Sequence, residues 1–102
     1  MNDKIEKKRN ELREQMSGIA DKVLDLAAER GIFISPAVND RVYGGREMKD
    51  FDQVIWFRVN ILAVIDTVTT KGEIVLNDDD LVQLNDLKAK VNKTYRLLQI
   101  AF

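Results

Sequence analysis

The sequence of 102 residues contains no cysteine and no histidine. That leaves no thiol nucleophile, no disulfide, no thiolate zinc site and no imidazole to exchange protons near neutrality. A chain without cysteine fits the reducing cytoplasm, which is the compartment expected here. Proline occurs once and glycine five times, too few for a disordered chain or a long flexible linker. No apolar run reaches the roughly 18 residues of a membrane span. The charged opening stretch lacks the apolar core of a signal peptide. Neither sign of charge dominates: 16 basic residues stand against 17 acidic ones, a formal net charge of −1. No global field therefore draws nucleic acid or anionic lipid. The locally basic "KIEKKRNELR", residues 4–13, reads as part of a solvated helix. No internal repeat is present.

What the sequence does have is helical periodicity. Residues 4–30 form one expected long helix. Leu12, Met16, Ile19, Val23, Leu26 and Arg30 recur at alternating spacings of four and three, a narrow heptad-like seam. Gly31 is its natural stop. The first third carries only Ile5 on the seam, so it is expected to project beyond the core or pair with another chain. In the connector "GIFISPAVNDRVYGG", Ile32, Phe33 and Ile34 are apolar enough to be expected to pack. Ser35 suits an N-cap and Pro36 a first helical position, which predicts a short helix over 36–43. A second long helix is expected over 47–70, with an apolar arc from Met48 through Phe51, Phe57, Val59 and Ile61 to Val68. An arc that wide marks the central helix of a bundle, touched on two sides. Gly72 marks a turn, with a short extended piece possible at 74–76. Asn77 or Asp78 caps a last helix over 79–100, whose apolar face holds Leu81, Leu84, Leu87, Val91, Tyr95 and Leu98. The expected fold is all-α: one domain over 1–102, an antiparallel bundle of three long helices plus a short connector helix.

Three cations interrupt these apolar stripes. Arg58 sits in the middle of "VIWFRVNILAVID", Arg30 ends the first seam, and Lys88 lies one turn from Leu84. Asp80, at the edge of the last stripe, is the nearest acid. Burying an unpaired guanidinium costs several kcal/mol. Each charge must therefore escape to water along its aliphatic stem or meet a polar or anionic group. One reading is structural. The other is a pocket for an anionic small molecule built from Arg30, Arg58 and Lys88, with Tyr95 adding a hydroxyl donor. Trp56 is the opposite anomaly, an aromatic on a polar face with Asp52, Asn60 and Ala63. It is expected to anchor an interface unless the connector covers it. Phe33 and Tyr43 in the connector, and Leu97, Ile100 and Phe102 off the last stripe, are further interface candidates.

Three stretches invite comparison with known motifs. "TVTTKGEIVLND" has the glycine spacing of an EF-hand loop. Its ligand positions, however, hold Thr67, Thr69 and Lys71 where carboxylates are needed. No metal and no cofactor are expected. "ISPAVNDRVYGG" resembles the recognition-helix stretch of some helix-turn-helix repressors, with a longer turn after Gly31 and polar Asn39 at a core position. "LREQMSGIADKVLDLAAER", residues 12–30, resembles the first helix of the all-helical chorismate mutases. That resemblance implies an intertwined dimer with a cofactor-free, arginine-lined pocket. Arg13 would reach into a partner's site and Arg30 would bind a substrate carboxylate. It covers under a fifth of the chain, and Gly31 and Pro36 break the helix where that family's continues. The leading expectation is a non-enzymatic protein-interaction module of adaptor or inhibitor type, homodimeric. An anion-binding pocket, enzymatic or not, and a DNA-binding protein stand as alternatives, nucleic acid being the least favoured partner.

Overall fold

The computed structural model describes residues 2–102, with side chains from Asp3 onward. It has four helices: α1 (Asn2–Glu29), α2 (Pro36–Gly44), α3 (Phe51–Lys71) and α4 (Asp78–Ala101), with no strand among the described residues. Two contacts set the direction of α4. Arg30, just past α1, meets Asp80 at the start of α4, and Arg9, near the start of α1, meets Ala101 at the end of α4. The two helices are therefore antiparallel. Arg13 meets Met48 and Lys71 meets Phe33, so α3 runs parallel to α1. The short α2 carries the chain back down between them. The result is an up-down-up-down bundle with one short arm, 50 × 26 × 17 Å overall. The 28 residues of α1 account for about 42 Å of that length.

The seam of α1 is buried as its spacing requires, from Leu12 and Met16 through Val23 to Ala27. It packs against Phe57, Ile61, Val64 and Val68 of α3 and Leu84, Leu87, Val91 and Leu98 of α4 in one contiguous core. Val42 anchors α2 to the same core. Gly31 takes the left-handed conformation, φ 68°. Its N–H bonds to the Ala28 carbonyl, and that of Ile32 to the Ala27 carbonyl. This paired closure satisfies the last carbonyls of α1 and turns Ile32 inward.

The N-terminal ends of α2, α3 and α4 are capped by side chains. The Ser35 hydroxyl accepts from the Val38 N–H with Pro36 following. Asp50 accepts from Gln53 N–H, and Asn77 and Asp80 form a reciprocal capping box.

The structure corrects four sequence expectations. The second long helix begins at Phe51 rather than residue 47. Asp50 caps it, Gln53 Oε1 accepts from the Lys49 N–H at 2.7 Å, and Met48 sits at φ 44° with its side chain fully buried. Residues 74–76 are a turn rather than an extended piece: the Val75 and Leu76 N–H groups both reach the Gly72 carbonyl. Phe33 is exposed although Ile32 is buried and Ile34 packs on the core. In a non-helical segment neighbouring side chains point to opposite sides, so three consecutive apolar residues cannot all face inward. Val59 and Leu81 lie at the margins of their stripes and remain exposed. No helix among the described residues is long and apolar enough to cross a membrane.

Candidate functional site

The three seam cations do not share a site. Arg30 and Asp80 form a two-pronged ion pair, Nε to Oδ2 at 2.8 Å and Nη2 to Oδ1 at 2.9 Å. Asp80 also accepts from the Asn77 N–H, and its side chain is 5 % exposed. One carboxylate thus caps α4 and neutralises the cation that ends α1. The Arg30 hydrogen bond, with the Asn77 N–H behind it, holds the Asp80 carboxyl below its ordinary range against the opposing effect of burial. The same bond raises the Arg30 guanidinium.

Arg58 of α3 meets α4 at Asn92, 12 residues beyond Asp80 and about 18 Å down that helix. Its Nε and Nη2 donate to Asn92 Oδ1 at 3.3 and 3.2 Å. Its guanidinium carbon stands 4.4 Å above the centre of the Tyr95 ring. No carboxylate among the described residues pairs with it. Arg58, Asn92, Tyr95 and Arg96 line an open depression of about 430 Å³. Lys88 is exposed and does not line it. Of the four expected anion-site residues, then, Arg58 and Tyr95 come together, while Arg30 and Lys88 stand apart. Asn92 and Arg96 complete the depression. Nothing in the sequence singles them out, because their role depends on how α3 packs on α4.

Arg13 is also engaged within the chain. It donates to the Met48 carbonyl and to Glu6 and Asn10. Its hydrogen bond lowers the Glu6 carboxyl. Phe102 folds back at the lower end of the bundle, beneath the Arg9 and Arg13 guanidinium groups and 6.2 Å from the Phe51 ring. Phe51 in turn meets Tyr95, so one line of rings and cations runs from Phe102 to Arg58. On the opposite flank Arg46 stacks over Tyr43 and bonds Asp21 of α1 at 2.6 Å.

The interface candidates divide. Phe102 is folded back and only partly exposed, and Tyr43 is partly covered by Arg46. Trp56 is 66 % exposed, with no connector over it. It shares an outward stripe of α3 with Val59 and Ala63, all three exposed. Phe33 is open, its ring approached by Lys71 Nζ at 5.6 Å. Leu97 and Ile100 open into a channel between α1 and α4. Its two stretches, of about 390 and 470 Å³, meet at Leu97. The α1 side of that channel holds residues the sequence reading passed over: Lys8, Gln15 and Lys22, seven apart and beside the seam, and Gly18. Their spacing is legible in the sequence; that α4 leaves them uncovered is not.

No three His, Cys, Asp or Glu side chains gather to hold a metal ion among the described residues. The stretch compared with a recognition helix, α2, packs on α3 through buried Val42. Compared with protein-family models, curated proteins and solved structures, the chain has no significant match. Its functional reading rests on its own residues.

Proposed function

We propose that the protein is a small, non-enzymatic helical interaction module, of adaptor or inhibitor type, that pairs with a second copy through the outer face of α3. The observation that carries this reading is the stripe of Trp56, Val59 and Ala63, exposed on a helix whose opposite side is core. Between Asp52 and Asp66 this stripe carries no charge. Two copies related by a two-fold axis would bury this uncharged patch where the helices cross at an angle that keeps Asp52 of one copy clear of Asp66 of the other. A buried tryptophan is a frequent energetic anchor of such contacts. The non-enzymatic part of the reading is supported by Arg13 and Arg30. These are the arginines a chorismate-mutase-like site would use, and both are held by partners inside the chain.

Sedimentation velocity on the protein and on Trp56→Ala tests the reading. The parent chain is expected to sediment as a dimer at micromolar concentration. Trp56→Ala is expected to keep its helicity and weaken dimerisation at least tenfold. A monomeric parent, or a variant that dimerises equally well, contradicts it.

A second reading has one specific observation behind it: Arg58 has no carboxylate partner among the described residues and shares its depression with Arg96. An anion seated there would complete the site. Inorganic phosphate or a dicarboxylate should then raise the melting temperature of the protein and not of Arg58→Met. Equal shifts in both dispose of it.

A further inference from the structure

We infer that the channel between α1 and α4 receives an amphipathic helix with acidic flanks from a partner protein. This surface is separate from the α3 face. Its floor is apolar, formed by buried Leu12 and Ile19, and Ile5, Leu97 and Ile100 stand exposed along it, Ile100 at 82 %. Its rims are cationic. Lys8, Arg9, Lys22, Lys90 and Lys93 all line it, and no carboxylate among the described residues does. In a chain with slightly more acids than bases overall, that is a local segregation of charge. Arg9 is committed to the Ala101 carbonyl, and Lys8 stands 3.9 Å from Glu11. Lys22, Lys90 and Lys93 pair with no acid among the described residues.

Gly18 supplies an independent observation. It sits in the middle of α1, where glycine costs about 1 kcal/mol relative to alanine. A Cβ added to it would meet nothing within 4 Å, so packing within the chain does not call for glycine. What its absent side chain does is widen the channel, letting another backbone approach closely. From Ile5 to Lys22 the channel follows α1 for 18 residues, a rise of about 26 Å, the length of a five-turn helix. Apolar residues at i, i+3, i+4 and i+7 would lie on Ile5, Leu97 and Ile100 in the lower stretch, with glutamate or aspartate reaching Lys22 on one rim and Lys90 and Lys93 on the other in the upper stretch.

The alternatives fit less well. A second copy using this same face would set lysine against lysine. A nucleic-acid backbone would satisfy the rims and leave the apolar floor unused.

Three labelled probes titrated into the full chain separate these occupants: a peptide of about 18 residues with one leucine face and glutamate flanks, the same peptide with lysine flanks, and a short DNA duplex. The acidic peptide is expected to bind at least tenfold tighter than the basic one and to gain helicity on binding. It should weaken as salt rises. The double substitution Lys90→Glu with Lys93→Glu should reverse the preference. Gly18→Leu should block the channel while leaving the melting temperature unchanged or higher, because leucine is the better helix former. Four outcomes overturn the proposal: no binding of the acidic peptide at millimolar concentration; equal binding of both peptides; tighter binding of the duplex through the same lysines; or dimerisation that Gly18→Leu abolishes, which would assign the channel to a second copy. Dimerisation lost only with Trp56→Ala bears on the α3 face and leaves the channel unaffected.

Discussion

The upper end of α4 and its lower half solve one problem in two ways. Each meets an arginine that another helix places on an apolar stripe. At the top, Asp80 grips Arg30 with both oxygens and caps its own helix with the same carboxylate. Lower down, Arg58 finds an amide oxygen and a ring face, and its charge is solvated rather than cancelled. An arginine on an apolar stripe is thus not in itself a sign of a binding site. What matters is whether the facing helix supplies a carboxylate at that level. Where it does, the cation becomes part of the fold; where it does not, the charge stays available.

That contrast can be broken at either level. The largest effect is expected from Asp80→Ala, which strips the α4 cap of its reciprocal partner and leaves Arg30 unpaired. It should lower the melting temperature by roughly 5–10 °C on the scale typical of a domain this size. Asn92→Ala, which removes only a neutral acceptor from Arg58, should lower it far less. Equal losses in thermal melts would erase the difference between the two levels.

The next effect is in acid. The Asp80 carboxyl is held below its ordinary value of about 3.9 in the folded chain. Its contribution is therefore complete above that value and is lost as pH falls through the lowered folded value. Stability measured by urea denaturation should fall below about pH 4 more steeply in the parent than in Asp80→Asn, whose curve should be flatter there. Parallel curves would show that the Arg30 pair does not shift the titration.

The smallest effect is expected at Arg58. Arg58→Met keeps the aliphatic stem and gives up a partly exposed cation–ring contact worth about 1 kcal/mol or less. A loss several times larger in chemical denaturation would mean that Arg58 is as structural as Arg30.

The bundle was legible because each helix announces itself locally. The seam from Leu12 to Leu26, the Ser35–Pro36 start and the Asn77 cap all act over one or two turns. The misplaced start of α3 is a competition of the same kind. The 47–50 stretch has helical periodicity, but Asp50 and Gln53 together cap the chain one turn later, and Met48 is drawn into the core at a positive φ. The site was less legible. The place of Arg58 on the apolar arc and that of Trp56 on the polar face follow from the α3 wheel alone; that the connector leaves Trp56 uncovered does not. The Arg30–Asp80 pair, the Asn92 acceptor and the channel beside Gly18 depend on which side of α4 faces which helix. That is set by long-range packing, to which no single helix wheel has access.

The tryptophan on α3 is the only one in the chain and so reports on its own surroundings. The most direct measurement is its fluorescence across a concentration series that spans the sedimentation transition. Its emission is expected to be red-shifted and open to a soluble quencher at low concentration, and to shift to the blue and become shielded in step with dimer formation. Emission that stays solvent-exposed while the mass doubles would contradict the assignment of the α3 face as the contact between copies.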